Sequence, residues 1–245
     1  MAKPLIGKAR PRLAPGSIWA VSYAPLSIMD AMADPTPLDA LISTADRALR
    51  AVFAPATSAR PDPAATAKAT NSQELTEAER REAAALMRVN HAGEVAAQAL
   101  YHGQAFAARN AQTREWLLSA AREEADHLAW CDARLTSLDS RPSVLNPLWY
   151  AGSFAIGALA ASLGDRASLG FVVETERQVE QHLGEHLRKI SAKDTASRAV
   201  LEAMRSDELH HGQRASDAGA ADLPGPIRAL MRATARVMTV TSYWI

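Results

Sequence analysis

The chain holds a single cysteine, Cys131, among 245 residues. One thiol excludes an internal disulfide framework, and it excludes the Cys-rich sites that hold structural zinc or iron–sulfur clusters. A reducing compartment fits. Aromatic residues are scarce as well, at 5%, and strand-like alternation of apolar and polar residues is rare, so a sandwich or barrel has little to be built from. Net charge is also missing. The 27 basic residues balance the 27 acidic ones, which leaves no global positive field to draw in nucleic acid. What is abundant in the middle of the chain is Ala, Leu, Arg and Glu. These are strong helix formers, and a chain of this length is expected to be all-α with a substantial core.

Three stretches divide the sequence. Residues 1–34 carry Lys3, Lys8, Arg10 and Arg12 before the first acid, Asp30. The apolar run from Ile18 to Met29 is weak, is broken by Pro25 and shows no cleavage pattern. The expectation is a disordered or mis-started N-terminal extension, with Met29 or Met32 as an alternative start. Residues 35–73 read as a short helix and a linker. Thr36-Pro37 is an N-cap with Pro at the first helical position, and Leu38, Leu41, Ile42, Ala45, Leu49, Val52 and Phe53 form a helical stripe. Ala54–Ser72, rich in Pro, Ala and Thr, predicts a linker with nothing to pack. The main body, 74–245, begins at the capping box Thr76-Glu77-Ala78-Glu79. Helices are predicted to about Ala108, to about Ser137, from Asn146-Pro147, near Arg166–Ile190, near Lys193–Ala215, and after Pro226.

Within that body Glu is followed three residues later by His at two places only, Glu124/His127 and Glu208/His211. Residues at i and i+3 share a helix face, so each pair can reach one metal ion. Glu94 lies 30 residues before Glu124, and Glu176 lies 32 before Glu208. Each half therefore reads as a helix with a lone Glu, a turn, and a helix with Glu-x-x-His. Two halves supply four carboxylates and two imidazoles, the ligand set of ferritin-like di-iron or di-manganese bundles. Four ionised Glu cancel two divalent ions, so the buried site is tolerable with metal in place. Glu123 and Asp207 each precede a ligand His by four residues. Either acid can orient that imidazole or its symmetry mate. Glu180 competes with Glu176, but the spacing prefers Glu176. His91, His102, His182 and His186 are expected as polar residues on helix faces. Tyr101 and Cys131 are read as packed side chains, and Met231 and Met238 need nothing beyond packing.

Residues 142–164 carry no charge over 23 positions. That length could just span a bilayer, but Pro147, Gly152, Ser153 and Gly157 dilute it, and spanning would separate the metal-bearing helices. A core or membrane-surface helix is expected. The last helix places Arg228, Arg232 and Arg236 at i, i+4 and i+8, with no acid after Asp222. Such a basic amphipathic end suits an anionic membrane surface; bundle packing with a solvated Arg row suits it equally.

The segments Leu86–Val95, Glu123–Leu128, Trp149–Phe154, Gly164–Arg166 and Glu174–Val179, with the terminal Met231–Met238, resemble the demethoxyubiquinone hydroxylases of ubiquinone biosynthesis. The similarity covers roughly residues 72–245, with 37–53 included, and the extension 1–34 departs from it. The resemblance implies a ferritin-like four-helix bundle with additional membrane-surface or packing helices. It implies a di-iron monooxygenase that hydroxylates a polyprenylated demethoxyubiquinol with O₂. Two Fe ions would be held by Glu94, Glu124, His127, Glu176, Glu208 and His211, with Glu124 and Glu208 bridging. The implied location is peripheral, on the cytoplasmic face of the inner membrane. A complex with other ubiquinone-biosynthesis proteins and an oligomeric state are both left open, and no nucleic-acid partner is implied. Alternatives with the same ligands are a ferroxidase, a peroxidase or a non-enzymatic membrane-associated accessory bundle. Hydroxylating a quinol ring with O₂ is beyond side chains alone, so a redox metal is required.

Overall fold

Thr76 opens the first long helix as the sequence predicts. Its hydroxyl accepts from the Glu79 backbone N–H, and the Glu79 carboxylate accepts from the Thr76 N–H. The structure, a computed structural model, describes residues 36–70 and 74–245. The expectation for residues 1–34 lies outside the described residues. Among those described there are eight helices and no strand: α1 (Pro37–Phe53), α2 (Pro63–Thr70), α3 (Glu77–Ala107), α4 (Ala111–Ser137), α5 (Asn146–Ser162), α6 (Asp165–Lys189), α7 (Thr195–Asp217) and α8 (Gly225–Trp244). Residues 37–245 form one compact unit.

Two hairpins make the ferritin-like four-helix bundle. α3 turns into α4 at Asn110, whose side chain accepts from the N–H groups of Gln112 and Thr113. α6 turns into α7 at Asp194, whose carboxylate accepts from the Ser197 N–H. The same carboxylate pairs with buried Arg134 of α4 at 2.7 Å, so the N-cap also fastens the second hairpin to the first. α5 is the crossover between hairpins and lies along α3. It starts at Pro147 and ends before Gly164, whose φ of 113° is left-handed backbone that favours glycine. Apolar packing centres on Met87, Leu135, Leu183, Leu201 and Met204, with a second cluster around Tyr101, Leu117 and Val172. Cys131 is buried, with its sulfur 3.8 Å from that of Met204.

Two expectations about residues 36–73 differ from the structure. Leu38, Leu41, Ile42, Leu49 and Phe53 remain exposed, and of the stripe Val52 packs, together with Ala48 and Ala51, against the cluster of Val95, Ala99, Leu128 and Tyr150. The stripe was visible as a period, but a period does not say which flank meets the body. Residues 54–70, expected to have nothing to pack, carry α2 against α7, with Ala64 buried in the main cluster. Asp62 caps α2 through the Ala64 N–H. Small side chains suffice there because the helices approach closely.

The α3–α5 contact depends on two glycines. A Cβ on Gly103 would collide with the Phe154 carbonyl, and one on Gly157 would collide with the Leu100 carbonyl. In each case the obstacle is backbone, which cannot swing aside. Gly157→Ala is expected to destabilise the fold by roughly 1–3 kcal/mol, as overpacking does. A lowered thermal midpoint of the purified protein checks this, and an unchanged midpoint would contradict so close a crossing.

Candidate metal centre

The helical spacing i, i+3 brings Glu124 and His127 to one face of α4, and Glu208 and His211 to one face of α7. Glu94 comes from the middle of α3 and Glu176 from the middle of α6. All six side chains are buried. Donor atoms of Glu94, Glu124, His127 and Glu208 lie within 4.8 Å of one another, and so do those of Glu124, Glu176, Glu208 and His211. Glu124 and Glu208 belong to both groups, and Glu94 and Glu176 to one each. The cluster is thus two overlapping four-residue sets with two shared carboxylates.

Both imidazoles aim Nδ1 inward. His127 Nδ1 lies 3.0 Å from Glu124, 3.3 Å from Glu208 and 3.5 Å from Glu94. His211 Nδ1 lies 3.0 Å from Glu124 Oε1, out of line for a hydrogen bond, and both atoms are left without a hydrogen-bond partner. Glu94 Oε2 and Glu176 Oε1 are likewise buried and unpartnered. Unmade bonds at four inward lone-pair atoms are costly unless something positive accepts them. A hard to borderline divalent cation fits a donor set of carboxylate oxygens and imidazole nitrogens.

The outer nitrogens are held by acids from the opposite half. His127 Nε2 is 2.9 Å from Asp207, and His211 Nε2 is 2.9 Å from Glu123. With Nε2–H donating outward, the Nδ1 lone pair is directed at the cluster. An acid four residues before one His thus serves the other, and the two hairpins are crosslinked through their imidazoles. Asp207 also meets Arg60, and Glu123 meets Arg214. Arg60 belongs to the segment read as a linker and carried no signal in the sequence. Asp126 was overlooked too; it is buried and paired with Arg60 at 2.7 Å.

The remaining candidates fall elsewhere. Glu180 is paired with Arg205, 2.6 Å from its Nε. Glu174 is buried but bound by Arg177 and Gln178. His91, His102 and His186 are buried rather than solvated helix-face residues. His91 meets Asn146 at 3.2 Å and His102 meets the Tyr150 hydroxyl at 2.8 Å, because α5 covers that side of α3. Tyr101 is packed in the core, and Met231 and Met238 line a cavity.

Burial pushes the carboxyls of Glu94 and Glu176 well above the ordinary value. For Glu124 and Glu208 burial also pushes upward, but the imidazoles outweigh it, together with a Glu176 hydrogen bond to Glu208, and both are lowered. Burial pulls the imidazoles down, yet the surrounding carboxylates hold His127 well above its usual value and raise His211 to about 12. Without metal, then, burial favours protons on Glu94 and Glu176, and the facing carboxylates favour protons on His127 and His211. A metal bound there competes with those protons.

A cavity of about 1190 Å³ reaches Glu94 between α3, α5, α6 and α8. Its lining is mainly apolar and includes Val89, Ala97, Ile156, Leu183, Ile227 and Met231. Glu94 is the cluster residue that borders it.

Residues 81–242 match the family described as ubiquinone biosynthesis protein COQ7. The chain is 57% identical over 216 residues to a 3-demethoxyubiquinol 3-hydroxylase of Ralstonia pickettii (strain 12J), a match covering 85% of this chain and all of that relative. Relatives bearing the same name in Cupriavidus taiwanensis and Burkholderia ambifaria (strain MC40-6) are 56% and 57% identical, each over 85% of this chain and 99–100% of their own length.

Because the metal must displace imidazolium and carboxyl protons, its uptake is expected to release protons at pH 7 and to tighten as pH rises. Calorimetric titration of the metal-free chain with Mn²⁺, in buffers of different ionisation enthalpy, reads this directly. A binding heat independent of the buffer would contradict the charge distribution described.

Proposed function

From the premise that the chain belongs to the ubiquinone biosynthesis protein COQ7 family, we propose that it hydroxylates 3-demethoxyubiquinol at a pair of iron ions held by Glu94, Glu124, His127, Glu176, Glu208 and His211. The hydroxylase activity follows the relatives that align over their whole length. The observation that carries the metal reading is the pair of overlapping donor groups with unpartnered inward atoms. Glu124 and Glu208 are common to both groups and Glu94 and Glu176 belong to one each, and together with His127 and His211 they would hold the pair.

When bound, an iron pair would supply two electrons to O₂ so that, with two protons, one oxygen atom enters the ring C–H and the other leaves as water; an external two-electron donor would then restore the pair. The chain's own residues arrange the rest. Asp207 and Glu123 hold the imidazole tautomers. The apolar cavity excludes water and delivers the ring to the Glu94 side of the cluster. Its volume exceeds the roughly 300–1,000 Å³ of ordinary small-ligand pockets, which leaves room for a quinol head and the first part of an isoprenoid tail. A ferroxidase, a peroxidase or an accessory bundle has no use for such a cavity.

No helix among the described residues is long and apolar enough to cross a membrane. Yet Leu148 and Leu159 of α5, its C-cap residue Leu163, and Leu230 and Val240 of α8 are exposed along the cavity, and Val237 and Trp244 of α8 are exposed as well. α8 is fastened at its C-terminal end, where Arg88 donates to the Tyr243 carbonyl at 2.9 Å. Arg228 and Arg236 lie on the same helix, and Arg232 between them meets Glu174 at 3.6 Å. These helices dock on an anionic membrane surface and admit the tail from it.

Two measurements test the reading. Purified protein is expected to hold about two irons per chain by the ligand count, and deletion of the gene in its host is expected to accumulate the demethoxy precursor; normal ubiquinone after deletion would overturn the assignment. Replacing Leu230 and Val237 by Glu is expected to weaken flotation with anionic liposomes by at least about tenfold, each lost apolar contact being worth ~1.5–3 kcal/mol. Equal flotation would remove the docking face.

A further inference from the structure

The two halves of the metal centre match at the imidazole and at the acid, but their cations come from different places. In the second half His211 Nε2 meets Glu123, and Glu123 is held by Arg214 at 3.1 Å. Arg214 stands three residues after His211 on α7, with its guanidinium over the Trp116 ring. In the first half the position three residues after His127 is Trp130, so α4 offers no arginine there. The cation arrives instead from residue 60. Its guanidinium lies over the Trp130 ring, 4.6 Å from the centroid, with Nη2 2.8 Å from Asp207 and Nε 2.7 Å from Asp126.

The segment bearing Arg60 is fastened to the back of the ligand helix. Asp126 precedes His127 and so points about 100° around α4 from it. Its Oδ1 accepts from the Ala59 N–H at 2.7 Å and from the Ser58 hydroxyl at 2.9 Å, while its Oδ2 accepts from Arg60. The corresponding residue before His211 is His210, which is exposed. A strap between α1 and α2 therefore reaches both the helix that carries His127 and the acid that orients it. The strap lies N-terminal to residues 81–242, which match the family model.

We infer that Arg60 is a positioning residue for the metal centre, acting through Asp207 to hold His127 toward the ion on the Glu94 side. The guanidinium fork is what the task requires: it spans two carboxylates in fixed geometry and stacks on an indole, and an ammonium cannot do all three at once. Without Arg60, Asp207 keeps its charge but loses the contact that fixes its position, and His127 loses its fixed orientation. The second imidazole keeps its own acid and arginine. The effect of losing Arg60 is thus confined to one ion of the two.

This inference rests on the metal-centre reading, and the experiment separates the two. The full-length chain is stripped of metal and titrated anaerobically with cobalt(II), whose visible absorption reports each site. Wild type is expected to take up two ions. Arg60→Ala is expected to weaken one of the two steps on the order of 10–100-fold, as loss of an outer partner of a ligand typically does, and to leave the other unchanged. Arg60→Lys should recover part of the loss, and Asp126→Asn, which loosens the strap without touching Asp207, should reproduce a smaller version of it. The thermal midpoint of metal-free Arg60→Ala is expected to fall, because buried Asp126 loses its cation, so the readout that carries the inference is the inequality between the two binding steps. Two unchanged steps in Arg60→Ala would overturn the inference alone, and so would equal weakening of both steps with a matching loss of metal-free stability. A wild-type chain that binds no pair of ions would remove the metal-centre reading, and this inference with it.

Discussion

Four glutamates meet at the centre of a helical bundle where water is excluded, and the placement of the surrounding groups follows from the cost of that arrangement. An unpaired buried carboxylate is destabilising by several kcal/mol, so Glu94, Glu124, Glu176 and Glu208 cannot all be ionised unless positive charge joins them. In the absence of metal, burial favours protons on Glu94 and Glu176 and the facing carboxylates favour protons on His127 and His211, all of which reduce the negative charge of the cluster. Two divalent ions would do the same with all four carboxylates ionised. Both solutions need His127 and His211 oriented from outside, which is the office of Asp207 and Glu123. Those acids then need partners of their own, and Arg60 and Arg214 supply them. Charge is passed outward shell by shell until it reaches solvent.

The repeat of a Glu helix and a Glu-x-x-His helix gives the centre an approximate twofold symmetry, and the structure departs from it where function needs a direction. The crossover α5 covers α3 and closes His91 and His102 from solvent. The cavity reaches Glu94. The cation of the first half is delivered by a strap and that of the second by α7 itself. A symmetric cluster with one approach can present its two ions unequally to a bulky ring, whereas a storage protein gains nothing from the difference.

The sequence made the periodic features legible and left the non-periodic ones hidden. The capping box, the Asn110 turn and the i, i+3 pairs are local, and local hydrogen-bond geometry is dictated by a few adjacent residue types. The two Glu–Glu spacings converted those local pairs into a shared centre, because antiparallel helices of similar length return to the same level. Whether Glu123 and Asp207 serve their own helix or the other one is not set by spacing. At i−4 an acid shares a face with its His, but the inward Nδ1 turns Nε2 across the hairpin, and only the packed bundle decides that. Arg60 and Asp126 are 66 residues apart with no period joining them. The segment 54–72 reads as unstructured because the burial of Ala64 depends on a groove that other helices create. The same reasoning explains buried His91 and His102, which look polar until α5 is laid over them.

The uncharged stretch 142–164 joins the fold to the chemistry. Its two glycine contacts require it to lie against α3, so it cannot leave the bundle to cross a bilayer. Its outer face is apolar all the same, with Leu159 and Leu163 exposed beside Leu230 and Val240 of α8. An apolar face next to a mainly apolar cavity that ends at Glu94 forms a path from the surface of the molecule to the carboxylate cluster. A polyprenyl quinol is an amphiphile of that shape, with a polar ring to present to the cluster and a tail that gains free energy at every step outside water. The 23 residues without a charge serve as one wall of that path, a role that a core helix and a membrane-surface helix would each fill by half.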